Sequence, residues 1–205
     1  MIRGENLVLA YGKKTVLENG TFHIEPGQAA VLLGDNGSGK STLLSAIAGA
    51  LKPRAGTVQV NGRIGYIPQG SGLMEELTFQ DNLRFFAALA GVKVPQTLPL
   101  NADKLRGTKV REMSGGMKKL CSIVCAVIAD PDVLILDEPC ASLDAEHKQM
   151  LIDYLCSVKE TGMTLVYVGH NRQEHERFAD RYFYVDHTVR ELTGEEYKEM
   201  VGEPV

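Results

Sequence analysis

The residues with the clearest chemistry lie in the run Gly34-Asp35-Asn36-Gly37-Ser38-Gly39-Lys40-Ser41-Thr42. Their spacing is G-x-x-x-x-G-K-[ST], set between an apolar run, Ala29 to Leu33, and an apolar helix start, Thr42 to Ala48. Strand, loop and helix in that order form the setting in which this pattern holds phosphate. Gly34, Gly37 and Gly39 let successive N–H groups turn inward. The helix beginning near Lys40 adds its unpaired amides and positive dipole end. Lys40 is placed to reach β- and γ-phosphates, and the Ser41 hydroxyl to bind Mg²⁺. Alone, a glycine-rich turn beside a lysine says little, so the other reactive side chains decide.

A fully apolar run, Val133 to Leu136, ends in Asp137-Glu138. Two carboxylates at the end of a buried strand suit the crevice where open α/β sheets take ligands. There Asp137 can hold Mg²⁺ and Glu138 can orient an attacking water or take its proton. Another apolar strand, Thr164 to Val168, ends at Gly169-His170-Asn171. His170 is either a satisfied structural histidine or a donor to a γ-phosphate. Met113-Ser114-Gly115-Gly116-Met117 opens a helix whose apolar face is Leu120, Ile123, Val124, Val127 and Ile128. Two glycines in a first turn cost about 1 kcal/mol each. They read either as flexible residues after a serine cap or as bare amides for a second anion. Asp144 is a good N-cap for a helix with Leu151, Tyr154, Leu155 and Val158 on one face. Tyr11 is either a half-buried strand aromatic or a platform for an adenine. Gln69, at the end of Tyr66-Ile67-Pro68, is by itself a solvated polar residue.

The elements that must position these groups follow from the pattern. The 205 residues suit a single domain with a sizeable core. Asn6 to Ala10 and Thr21 to Ile24 read as strands within a β-rich stretch from 1 to 28. Thr57 to Val60 and Ile64 to Ile67 read as a hairpin joined by Asn61-Gly62, the strongest short hairpin signal. Residues 70–114 form a small, mainly helical insert. Its first helix, capped by Thr78, carries Phe79, Leu83, Phe85, Phe86 and Leu89, more large apolar side chains than one face can bury. An exposed apolar groove near Gln69 is therefore expected. Residues 172–205 read as a helix, two short strands and a polar tail. A net charge of −4 gives no footprint for nucleic acid, and the pairs Lys13-Lys14 and Lys118-Lys119 read as solvated. Cys121, Cys125, Cys140 and Cys156 show no metal spacing and read as reduced thiols, the first two in the core. The start of the chain shows no leader-like apolar region and no run approaches about 18 apolar residues, so a membrane role is expected only through a partner.

Taken in order, Tyr11, Gly34 to Thr42, Gln69, Ser114-Gly115-Gly116, Val133 to Glu138, Leu143-Asp144 and His170 resemble the ATP-binding subunit of an ABC transporter. The resemblance runs from about residue 2 to about residue 190. It implies an α/β fold: a P-loop NTPase core with an N-terminal antiparallel β-subdomain and a small helical subdomain inserted between Gln69 and Ser114. The whole of 1–205 is then one ABC ATPase domain, with 1–69 and 115–205 as core and β-subdomain and 70–114 as helical subdomain. It also implies roles. Tyr11 stacks on adenine, and Gly34, Asn36, Gly37, Ser38, Gly39, Lys40, Ser41 and Thr42 belong to the Walker A loop. Gln69 senses Mg²⁺ and the attacking water, so the metal set is Ser41, Gln69 and Asp137. Ser114, Gly115 and Gly116 are the signature motif, Glu138 is the catalytic glutamate, Asp144 ends the D-loop, and His170 is the switch histidine. ATP and Mg²⁺ are the cofactors.

In the resembled family two such subunits close head to tail on ATP, as a homodimer or pseudo-dimer. They dock on an integral-membrane permease at the cytoplasmic face, and a short permease helix enters the region expected here to hold the groove. Met113 and Met117 stand where the signature usually has leucine and glutamine. The Gly-Gly-Met-Lys-Lys form, with Asn82-Leu83-Arg84-Phe85-Phe86 upstream, looks like exporter-type subunits encoded apart from their permease. Two other classes compete. Non-transport ABC ATPases carry a long coiled coil between the Gln69 and Ser114 equivalents, or two cassettes in one chain, and neither is present. A regulatory module without turnover is disfavoured by the intact Glu138 and His170.

Overall fold

The computed structural model describes residues 1–169 and 171–201. Its spine is a six-stranded sheet in the order β5-β6-β7-β3-β8-β9. Here β3 is Ala29–Leu33, β5 is Ile64–Ile67, β6 is Val133–Asp137, β7 is Thr164–Val168, β8 is Arg181–Val185 and β9 is Val189–Leu192. All pairings are parallel except β8 with β9. Strands β6 and β7 are buried at every position, as continuous apolar runs require when both faces of a parallel sheet are covered. A second, antiparallel sheet has the order β2-β1-β4, from β1 (Ile2–Tyr11), β2 (Lys14–Ile24) and β4 (Ala55–Val60).

The two faces of the large sheet feed different cores. Leu134, Leu136, Leu165 and Tyr167 meet helices α2 (Phe79–Ala90), α3 (Gly115–Val127) and α4 (Ala145–Glu160). Val133, Ile135, Val166 and Val168 meet the antiparallel sheet and helix α1 (Lys40–Ile47). Alternate residues of β6 thus belong to alternate cores, the period-2 geometry of a strand. Between β5 and α3 lie α2 and two 3-10 turns, Ala102–Leu105 and Val110–Glu112.

The hairpin expected over 57–67 does not form. Strand β4 pairs with β1, and β5 pairs with β6, so the two strands belong to different sheets. Asn61-Gly62 is a crossing between sheets. The Asn61 N–H donates to Met1 O at 3.0 Å, and the Arg63 N–H donates to Asp132 Oδ2 at 2.7 Å. Gly62 has φ +111°, and a Cβ there would lie 2.5 Å from the Asp132 Cβ. The dipeptide is needed for its backbone conformation, but long-range partners on both sides outcompete local pairing. The strands of the first sheet also run longer than their sequence pattern, because bulges at Asn6 and Asn19, both at positive φ, re-phase the alternation.

After β7 the chain enters α5 (Arg172–His175), and it ends its described part in α6 (Gly194–Val201). The segment expected as a polar tail is therefore partly helical. His175 is 1% exposed, ringed by Tyr167, Tyr182 and Tyr197, with its Nδ1 3.4 Å from the Tyr197 hydroxyl. Burial pushes its pKa down from 6.5 to about 4. The unfolded chain takes up this proton near pH 6.5, whereas the folded chain holds the ring neutral until about pH 4. Acidification through that window favours the unfolded state, by roughly 3 kcal/mol at its lower end. Denaturant melts at pH 7 and pH 4.5 should show that loss for the wild-type protein. His175→Phe, which keeps a ring in the cluster, should lose clearly less.

Candidate nucleotide site

Parallel pairing puts the carboxyl ends of β3, β5, β6 and β7 on one edge, where the 34–42 loop, Gln69, Asp137 and Glu138 lie. The loop after β3 wraps back to the start of α1. Gly39 is the residue before that helix, at φ +110° with no side-chain cap, and no acidic residue stands in the first turn. An uncapped helix start free of carboxylates is an anion site in want of an anion. Gly34 has φ +143°, and a Cβ there would run into Val185 O and lie 2.7 Å from Ser38 Oγ. The Lys40 ammonium is buried and donates to Gly34 O and Asp35 O, each at 2.8 Å. Burial lowers its pKa, while Glu138, Asp137 and Asp35 nearby oppose that shift.

Asp137 ends β6 and is 3% exposed. Burial raises its pKa, against a hydrogen bond from the Ser41 hydroxyl and the charges of Lys119 and Lys40. Glu138 follows in the left-handed region at φ +47°, its N–H donating to Val168 O at 3.0 Å. A conformation this sparse costs of order 1 kcal/mol for a residue with a Cβ. Here it turns the glutamate side chain out of the strand line. Gln69 Nε2 donates to Glu138 Oε2 at 3.3 Å, across 69 residues of chain.

One open cavity of about 650 Å³ collects most of these groups; Asp137, reached through Ser41, is not in its lining. Asn36, Gly37, Gly39, Lys40, Ser41, Thr42, Gln69 and Glu138 line it. Gly34 and Ser38 are not in its lining, and Ser38 Oγ is buried with no hydrogen-bond partner among the described residues. Tyr11 is 56% exposed and outside the lining, although Lys14, opposite it in the β1–β2 register, is in it. The signature residues lie elsewhere. Ser114 caps α3, accepting from the Met117 N–H at 3.2 Å. Asp144 caps α4, accepting from the His147 N–H and ring, and stays exposed. Neither lines the cavity. His170 falls outside the described residues.

Three observations were not legible from the motifs. His187, at the β8–β9 turn, lines the cavity, its carbonyl accepting from the Glu18 N–H at 2.6 Å. Gly116 has a packing use, since a Cβ there would stand 3.0 Å from Ser142 O. Lys119, expected in solvent, is 5% exposed and donates to Pro68 O and Gln69 O at 2.8 and 2.7 Å. Lys118 does reach outward, to Glu75 at 2.7 Å. The available signal was that Lys119 starts a stripe of small residues, Ser122, Ala126 and Ala129, beside the apolar face.

The donor set suits a magnesium–nucleotide complex. Uncapped amides and a buried ammonium suit phosphate, a hydroxyl–carboxylate pair suits a hard cation, and the same loop carries the buried, unpartnered Ser38 hydroxyl. The sequence profile of the ABC transporter family matches residues 17–141. The chain belongs to that family. As an ABC ATPase it is 36% identical, over 188 residues, to an uncharacterized ABC transporter ATP-binding protein of Methanocaldococcus jannaschii, covering 88% of this chain and 72% of that one. It is 32% identical over 206 residues to the linearmycin resistance ATP-binding protein of Bacillus subtilis, covering 91% and 66%. Among solved structures, the ATP-binding subunit of an ABC transporter superposes with TM-score 0.88 at 28% identity, covering 98% of this chain and 92% of that one. The two curated relatives are thus longer than the part the cassette matches.

The tightest backbone point in the cassette is Gly34. Gly34→Ala adds a methyl group against Val185 O at a positive φ. It should destabilise the protein by about 2–4 kcal/mol, read as a drop in thermal midpoint, and weaken retention of ATP on a filter.

Proposed function

We propose that this cassette binds Mg-ATP in the cavity at the sheet edge, hydrolyses it there, and drives solute movement through a separate membrane permease. The observation that carries the reading is the meeting of Gln69 and Glu138 at the same cavity as Lys40 and Ser41. In this reading Lys40 and the loop amides from Asn36 to Thr42 hold the phosphates, with Gly34 and Ser38 part of the same loop. Tyr11, exposed beside the cavity, stacks on the base. Ser41, Asp137 and Gln69 are the groups that would hold Mg²⁺. When bound, the ion supplies charge neutralisation across the phosphate oxygens. Glu138 then orients a water and accepts its proton, while Gln69 fixes the carboxylate. His170 is proposed to donate to the γ-phosphate.

Ser114, Gly115, Gly116 and Asp144 do not line the cavity of their own chain. A head-to-tail pair would bring one copy's Ser114 helix start to the other's phosphates, completing the electrostatic surround in trans. No helix among the described residues is long and apolar enough to cross a membrane. The proposed place of the cassette is therefore the cytoplasmic face, held by its permease.

A groove of about 630 Å³ beside the Gln69 loop supports that docking. Pro68, Leu73, Phe86, Leu89, Cys125 and Ala126 are among its lining residues. Leu89 is 71% exposed and Phe85 45%, its ring edge-on to Phe86 at 5.4 Å. Phe79 and Leu83 are buried, so the surplus expected of this helix is real on its outer side. The proposed occupant is a short amphipathic helix of the permease. The similarity to a linearmycin resistance protein and the Gly116-Met117-Lys118 form favour export.

Glu138→Gln keeps the shape of the side chain and removes its charge. It should bind Mg-ATP with near wild-type affinity, lose turnover by about a hundredfold or more, and elute as an ATP-bound dimer on a sizing column. Turnover at the wild-type rate would sink the mechanism. For the groove, Leu89→Arg should melt at the wild-type temperature yet fail to co-purify with the membrane subunit. Full recovery of the complex would move the docking site elsewhere.

A further inference from the structure

Lysine in the second turn of a helix that packs on a sheet ordinarily snorkels to water. Lys119 does not. Its three ammonium protons face three consecutive main-chain carbonyls, Pro68 O at 2.8 Å, Gln69 O at 2.7 Å and Gly70 O at 3.4 Å. Those residues are the loop that leaves β5 and carries the Gln69 side chain to Glu138. The loop pairs with no strand, so its carbonyls need a donor, and a flexible triple donor from a neighbouring helix meets all three. Burial lowers the Lys119 pKa, and the nearby Asp137 and Glu138 oppose that shift.

The same helix face continues away from Lys119 as the floor of the groove. Ser122, Cys125 and Ala126 of α3 and Ala129 just after it line the groove, together with Pro68, Ser71 and Gly72 of the Gln69 loop. Lys119 itself is not in the lining, but it lies one turn before Ser122 on α3 and bonds the carbonyl of Pro68, and both of those residues line the groove.

We infer that Lys119 is a positioning residue for hydrolysis: it ties the Gln69 loop to α3 and so holds the Gln69 amide at Glu138. This rests on the reading that Gln69 and Glu138 carry the chemistry. The lysine touches neither phosphate nor water. Without it the loop carbonyls lose their common donor, and Gln69 samples positions from which it no longer reaches the carboxylate. Nucleotide capture rests mainly on the 34–42 loop and Tyr11, which Lys119 does not contact, so it changes far less than turnover; only the Gln69 share of the metal set is disturbed.

The test uses Lys119→Met, of similar length without donors, and Lys119→Arg, which restores them. Steady-state kinetics, thermal midpoint and amide hydrogen exchange of the nucleotide-free protein are measured together. For Lys119→Met, kcat should fall at least about tenfold with KM for Mg-ATP within about twofold. Exchange over residues 69–73 should speed up at least about tenfold while that over 34–42 stays constant. Lys119→Arg should recover most of both losses. Unchanged turnover and exchange in Lys119→Met overturns the proposal. So does a loss of turnover accompanied by a lowered melting point and faster exchange throughout both variants, which makes the residue a packing element. Gln69→Ala separates the two layers of the argument. If it hydrolyses ATP at the wild-type rate while Lys119→Met still frees 69–73, the clamp stands and the role given to Gln69 falls.

Discussion

Two buried ammonium groups face two carboxylates at the carboxyl edge of the sheet, and the rest of the molecule serves to keep them there. Lys40 and Lys119 come from different helices, yet each is held by main-chain carbonyls and each lies in the field of Asp137 and Glu138. Charges taken out of water are tolerated only when they are paired and their hydrogen bonds are made. Here the carbonyls make the hydrogen bonds, and the nearby Asp137 and Glu138 supply the opposing charge. Ser41 and Gln69 hold the carboxylates at the edge, while the ammoniums lock the loops that bear Gly34 and Gln69.

That arrangement needs a stiff edge, and the two cores supply it. Leu134 and Leu136 point one way along β6 and Val133 and Ile135 the other, so the strand that delivers Asp137 is clamped by side chains of both clusters. Below Glu138 a second layer does similar service. The buried Tyr167 hydroxyl donates to Glu174 Oε2 at 2.9 Å and lies 3.6 Å from Cys140 Sγ. This ties β7, the loop after β6 and α5 into one block. Burial raises the Cys140 thiol to about 12, so it behaves there as a small apolar side chain.

Much of this was legible because local physics and global fold agree at the strongest motifs. The 34–42 loop is dictated by glycines and a helix start, and β6 and β7 by unbroken apolar runs, so their existence and order could be read directly. Asn61-Gly62 shows where reading stops. The hairpin expected there fails because only Gly62 takes a positive φ, and a turn signal does not say whether the flanking strands pair with each other or with Ile2 to Glu5 and Val133 to Leu136. Lys119 failed for another reason. Sequence assigns lysine to solvent on average, and its carbonyl acceptors lie about fifty residues away in a loop whose path depends on the finished fold. His187 likewise reaches the cavity only through the pairing of β3 with β8.

Helix α3 joins features that have been treated apart. Its first residues are the Ser114-Gly115-Gly116 start, and its second turn holds the Gln69 loop. Five residues of α-helix span about 7.5 Å, and a helix seated in a close-packed core moves as a rod. In the proposed pair, the start of the rod faces the neighbour's nucleotide while its second turn governs the water site of its own subunit. Each half would sense the contents of the other through a piece of backbone shorter than two helical turns.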